Sequence, residues 1–123
     1  MFDIKKFKET VDLNKALDPN MDYECDRHFS ILIDIYTNNI AESIEYVLGD
    51  PDPYDLEWSA QVWDDVIAKT QSRELLDAFH IAANKIKSDP KYDDIDFNVD
   101  LFFADQALDE DYSFDLGEGN INI

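Results

Sequence analysis

Positive charge is scarce in this chain. Ten Lys and Arg stand against 29 Asp and Glu, a formal net charge of −19 over 123 residues, and none of the ten lies between His28 and Ala68. Such a surface repels polyanions, so binding of DNA, RNA or an anionic membrane is disfavoured. Three Gly and four Pro are too few for a loop-rich fold and favour long regular elements. A lone cysteine, Cys25, excludes an intramolecular disulfide and a thiolate metal cluster. On an apolar helical face it reads as a small buried hydrophobe. Met1-Phe2-Asp3-Ile4-Lys5-Lys6 lacks the apolar core of a signal peptide, and no stretch reaches membrane-spanning length. A cytoplasmic protein is expected.

The residues of catalysis are equally sparse. The two histidines, His28 and His80, have no neighbouring nucleophile at a telling spacing, and both are expected at the surface or its boundary. One Cys and two distant His leave zinc without a ligand set. Asp94, Asp96, Asn98 and Asp105 match calcium-loop positions, but Val99 occupies the place where that loop needs Gly. Asp64 and Asp65 are adjacent, so on a helix they point in different directions and make a poor hydrolytic pair. No Gly-rich phosphate loop exists. The expectation is a protein that is not an enzyme and uses no metal or cofactor.

What the chain does have is apolar and aromatic material: 45% hydrophobic residues, including eight Phe, six Tyr and two Trp. That is enough to offset the entropy of ordering a chain of this length as one domain. Apolar residues recur at helical spacing along most of it. Asp3 caps a helix carrying Ile4, Phe7 and Val11, and Leu17-Asp18-Pro19-Asn20 breaks it. Asp22 caps a second helix with the stripe Cys25, Phe29, Leu32, Ile33 and Tyr36, and Asn38-Asn39 suits its end. A third places Ile40, Ile44, Val47 and Leu48 inward and stops at Gly49. A fourth runs from about Asp55 to Thr70 with Leu56, Ala60, Trp63 and Ile67 in one row, widened by Val62 and Val66. Ser72 caps a fifth, with Leu75, Leu76, Phe79, Ala83 and Ile86 inward. A sixth is expected from Phe97 to Leu108, packing through Leu101, Phe102, Ala104 and Leu108. The fold expected is all-α, an antiparallel bundle of about six helices. Residues 1–108 form the helical domain, and 109–123 an acidic C-terminal tail or a small β-hairpin.

Between helices three and four lies Asp50-Pro51-Asp52-Pro53-Tyr54-Asp55, a loop stiffened by its prolines. Acids and aromatics mix from this loop onward. Asp50, Asp52, Tyr54, Asp55, Glu57, Trp58, Asp64 and Asp65 form the candidate partner-binding surface, with Tyr and Trp as anchors and carboxylates for Lys or Arg on the partner. The same residues also suit a merely hydrated surface around a wide core face.

Asp22-Tyr-Glu-Cys-Asp-Arg-His-Phe-Ser-Ile-Leu-Ile-Asp-Ile-Tyr-Thr-Asn-Asn39, Glu57-Trp-Ser-Ala-Gln-Val-Trp-Asp-Asp-Val-Ile67 and Ser72-Arg-Glu-Leu-Leu76 together resemble the small acidic helical immunity proteins of bacterial contact-dependent growth inhibition and related polymorphic toxin systems. The likeness is one of texture, helix layout and charge, and covers roughly residues 1–87. It implies a cytoplasmic monomer that binds a cognate basic toxin domain one to one, often a nuclease, and covers its active site. The alternative is a nucleic-acid mimic or phage-type inhibitor of a basic host protein, in which carboxylates stand in for a phosphate track.

Overall fold

The computed structural model describes residues 2–16 and 22–108, with only the backbone of 22–25. The expected turn at Leu17–Asn20, the side chain of Cys25 and the tail or hairpin of 109–123 lie outside the described residues. Within them the fold is all-α, with no strand. The helices are α1 (Ile4–Lys15), α2 (Asp22–Asn38), α3 (Ile40–Leu48), α4 (Pro53–Ser59), α5 (Trp63–Thr70), α6 (Arg73–Lys87) and α7 (Asn98–Ala107). None of them is long and apolar enough to cross a membrane.

Local chemistry accounts for most boundaries. The Asp3 carboxylate accepts from the Lys6 N–H at 2.9 Å and Ser72 Oγ from the Leu75 N–H at 3.1 Å, each satisfying a donor that the helix start leaves open. Asn39 differs from expectation. It ends α2 without a left-handed turn, sits extended at φ −150° and caps α3 by accepting from the Glu42 N–H. Positive φ falls instead at Asp50, φ 61°, and at Gln71, φ 50°, which ends α5, while Gly49 has an ordinary φ of −92°. Gly49 is needed for a different reason: a Cβ there would lie 2.9 Å from the Glu45 carbonyl oxygen.

The single fourth helix expected from the sequence is two helices joined by a 3₁₀ turn at Ala60–Val62. Ser59 explains the break. Its Oγ donates to the Leu56 carbonyl at 2.9 Å and shares a 2.7 Å hydrogen bond with the Tyr36 hydroxyl, and a hydroxyl bonded back to the preceding turn competes with the regular ladder. The row Leu56, Ala60, Trp63 and Ile67 still faces inward, each at most 1% exposed.

Trp63 is the centre of the core. Its indole stacks on Phe79 of α6 at 4.2 Å and on Phe97, just before α7, at 5.4 Å. Phe79 meets Tyr36 of α2 edge-on, Tyr36 meets Phe7 of α1 edge-on, and Phe2 stacks on Tyr46 of α3. One aromatic chain thus runs from α7 to α3. Burial raises the Tyr36 phenol to about 12, so it stays protonated and able to share its hydrogen bonds with Ser59 and Trp63.

Several inward assignments need correcting. Ile4 and Leu48 are exposed, whereas Phe2, which precedes α1, is buried. On α2 the most buried row is His28, Leu32, Ile35 and Tyr36, rotated from the expected stripe. His28 is therefore a core residue, 6% exposed, contrary to its expected surface position. Phe102 points outward, because Ala104 occupies the α7 face against the core. Trp63→Ala should cost roughly 3–5 kcal/mol, whereas Phe102→Ala should stay within about 0.5 kcal/mol of wild type; urea melts of the two variants check both values.

Candidate protein-binding surface

The eight candidate residues divide into two groups with different surroundings. The first follows from the stiff loop. Asp52 caps α4, accepting from the Tyr54 N–H at 2.9 Å and the Asp55 N–H at 3.3 Å, with Pro53 in the first turn where its missing N–H costs nothing. Asp50 pairs with Lys85 of α6. Tyr54 is exposed, and its hydroxyl donates to Asp94 at 3.3 Å while its ring meets Tyr92 edge-on. Loop, α3 and α6 border a groove of about 440 Å³ lined in part by Val47, Ile81, Ala82 and Ile86.

Asp55 is not a surface carboxylate. It is 5% exposed and bound to Lys8 at 2.9 Å and Lys15 at 3.3 Å, which fastens α1 to α4. Asp55 and its hydrogen bond also hold the Lys8 ammonium above its ordinary value. The sequence placed Asp55 among the partner contacts because it could not show that the lysines of α1 fold back onto it.

The second group is Glu57, Trp58, Asp64 and Asp65. Trp58 is only half-buried and packs against the core, with a sequestered indole Nε1 that has no hydrogen-bond partner among the described residues. Glu57 accepts from the Asp96 N–H at 3.2 Å, which brings the start of α7 alongside α4. The result is a convergence of Glu57, Asp64, Asp96 and Asp100. Burial first, and then repulsion from Glu57, Asp64 and Asp96, pushes the Asp100 carboxyl up to about 6. Burial and Asp64 likewise raise Asp65. Among the described residues no salt bridge reaches Glu57, Asp64, Asp65, Asp96 or Asp100.

Beside this convergence lie three apolar residues that the sequence did not assign to a surface: Phe102 was expected in the core, and Val99 and Phe103 were given no binding role. Val99, Phe102 and Phe103 are 65%, 57% and 53% exposed, and the two rings meet edge-on at 5.5 Å. A signal for them was present. Positions 99, 102 and 103 share one helical face and 101, 104 and 108 the opposite one, so a helix with a single packed side must expose one set.

The calcium-loop spacing is committed elsewhere: Asp94 accepts from Tyr54, Asn98 begins α7, and Asp105 pairs with His80 at 2.6 Å. No group of three or more His, Cys, Asp or Glu among the described residues could hold a metal ion.

A carboxyl raised in the folded state binds its proton more readily there than in the unfolded chain. Its favourable contribution is complete below 3.8 and lost as pH rises through about 6. Asp100→Asn should therefore stabilise the fold at pH 7.5, by roughly 1 kcal/mol once solvent screening of a half-exposed group is allowed for. Thermal melts should show that gain vanishing at pH 4. Asp55→Ala should destabilise by about 2 kcal/mol at pH 7.5, since two part-buried charge-assisted hydrogen bonds are lost. No protein-family model matches the chain, and no curated protein or solved structure shows significant similarity to it.

Proposed function

We propose that this chain is an immunity protein, which binds a cognate basic toxin domain and neutralises it by covering its active site. A nuclease domain is the toxin that best suits the charge. The observation that carries the reading is the convergence of Glu57, Asp64, Asp96 and Asp100, where burial first and mutual repulsion second raise the Asp100 carboxyl to about 6. Grouped carboxylates without a cation raise the energy of the free protein, and a partner that brings Lys or Arg among them relieves that repulsion on binding. A nuclease cleft shaped for phosphates is complementary to such a surface. The net charge of −19 adds attraction at longer range and speeds the encounter.

Co-expression with the product of the gene immediately upstream tests the proposal. Cells should survive with the wild-type chain and die with Asp64→Lys combined with Asp65→Lys, a variant whose helical circular dichroism confirms its fold. The purified pair should associate more slowly as salt rises, because attraction between surface charges is screened beyond about 8 Å at physiological ionic strength. An upstream product that is harmless without this chain defeats the immunity reading. A charge-reversed variant that protects and binds like wild type defeats the role of the acidic face.

A further inference from the structure

α7 is apolar on two sides. Ala104 is fully buried on one, where the helix lies against α5 and α6. Val99, Phe102 and Phe103 form a stripe on the other, at i, i+3 and i+4, and all three are more than half exposed. Two Phe in edge-on contact standing in water on a helix anchored elsewhere are an unusual expense of apolar area. The margins of the stripe are acidic. Asp100 flanks it on the side of Glu57 and Asp64, and Asp105, held by His80 at 2.6 Å, flanks it on the other.

We infer that this stripe is the docking surface for an amphipathic basic helix of a protein partner, whose apolar row packs on Val99, Phe102 and Phe103 while its Lys or Arg side chains reach the flanking carboxylates. The inference rests on the reading that this protein works by binding a basic partner, and it assigns the contact to a particular helix. Charge selects the occupant. A second copy would bring another −19 and the same acidic margins. The chain's own residues 109–123 contain Asp109, Glu110, Asp111, Asp115 and Glu118 and no base, so they too meet the margins with like charge. A partner that is apolar along one face and cationic along its edges satisfies both parts of the surface, and aromatic side chains are the residues that most often dominate such contacts.

The test is calorimetric titration of the full chain with two synthetic 18-residue peptides of equal charge. One has Leu and Lys arranged as an amphipathic helix, and the other has Ser in place of every Leu. The Leu/Lys peptide should bind at least tenfold more tightly. Phe102→Ser with Phe103→Ser should reduce it to the level of the Ser/Lys peptide without lowering the melting temperature. Equal affinity for the two peptides overturns the inference and reduces the contact to charge alone. Undiminished affinity in the double variant overturns it by placing the contact elsewhere. A concentration-dependent dimer abolished by the double variant makes a second copy the occupant. Leu/Lys binding that appears only after Tyr112→Ser, Phe114→Ser and Leu116→Ser makes the chain's own C-terminal segment the occupant. Each of these outcomes leaves the co-expression result untouched, so loss of the α7 assignment and loss of the immunity reading are separable.

Discussion

The indole of Trp63 lies between two parallel rings, Phe79 at 4.2 Å and Phe97 at 5.4 Å, and the positions of four helices depend on it. Stacked aromatics contribute large buried area and prefer few geometries, so they fix orientation as well as distance. Phe79 sets how close α6 comes to α5. Phe97 sets where the segment leading into α7 must pass, and so which face of α7 turns outward. Through its Nε1, 3.4 Å from the Tyr36 hydroxyl, the same side chain ties α2 to the start of α5. The packing of α6 and of the segment leading into α7 against α5 thus converges on one indole, next to the 3₁₀ turn that Ser59 introduces.

The charge of the chain is divided rather than spread. Lys5, Lys6, Lys8 and Lys15 gather on α1, and two of them close over Asp55. Lys85 answers Asp50. The proline-stiffened loop is thus neutralised in part by the protein's own bases, whereas Glu57, Asp64, Asp96 and Asp100 are left to repel one another. Self-repulsion of this kind is tolerable only because the aromatic core supplies stability elsewhere. It also explains why the two halves of an acidic stretch that looks uniform in sequence have different characters once folded.

How much of this was legible depended on how local the cause was. Caps at Asp3 and Ser72 and the inward row of Leu56, Ala60, Trp63 and Ile67 follow from neighbours within one or two turns, and sequence spacing carries that information. Asp55 could not be read correctly, because its partners are 47 and 40 residues away. His28 looked like a boundary residue beside an apolar stripe, but the stripe is rotated and His28 lies within it. Phe102 was assigned to the core on hydrophobicity alone, and only the competing claim of Ala104 on the packed side of α7 decides otherwise. Of the eight candidate surface residues, Asp50, Asp52 and Tyr54 gather at the loop and its groove. Glu57, Asp64 and Asp65 lie toward the start of α7, joined by Asp96 and Asp100, which belong to a segment no local pattern connects to them.

The concentration of lysines on α1 has an effect that no single ion pair describes. α1 carries four Lys against Glu9 and Asp12, whereas among the described residues no salt bridge reaches Glu57, Asp64, Asp96 or Asp100. Charge is therefore unevenly distributed, and the folded chain has a dipole as well as a net charge. In the field of a cationic surface such a dipole feels a torque that favours an approach with its more acidic side foremost. Orientation would then be partly selected during approach rather than searched for after collision.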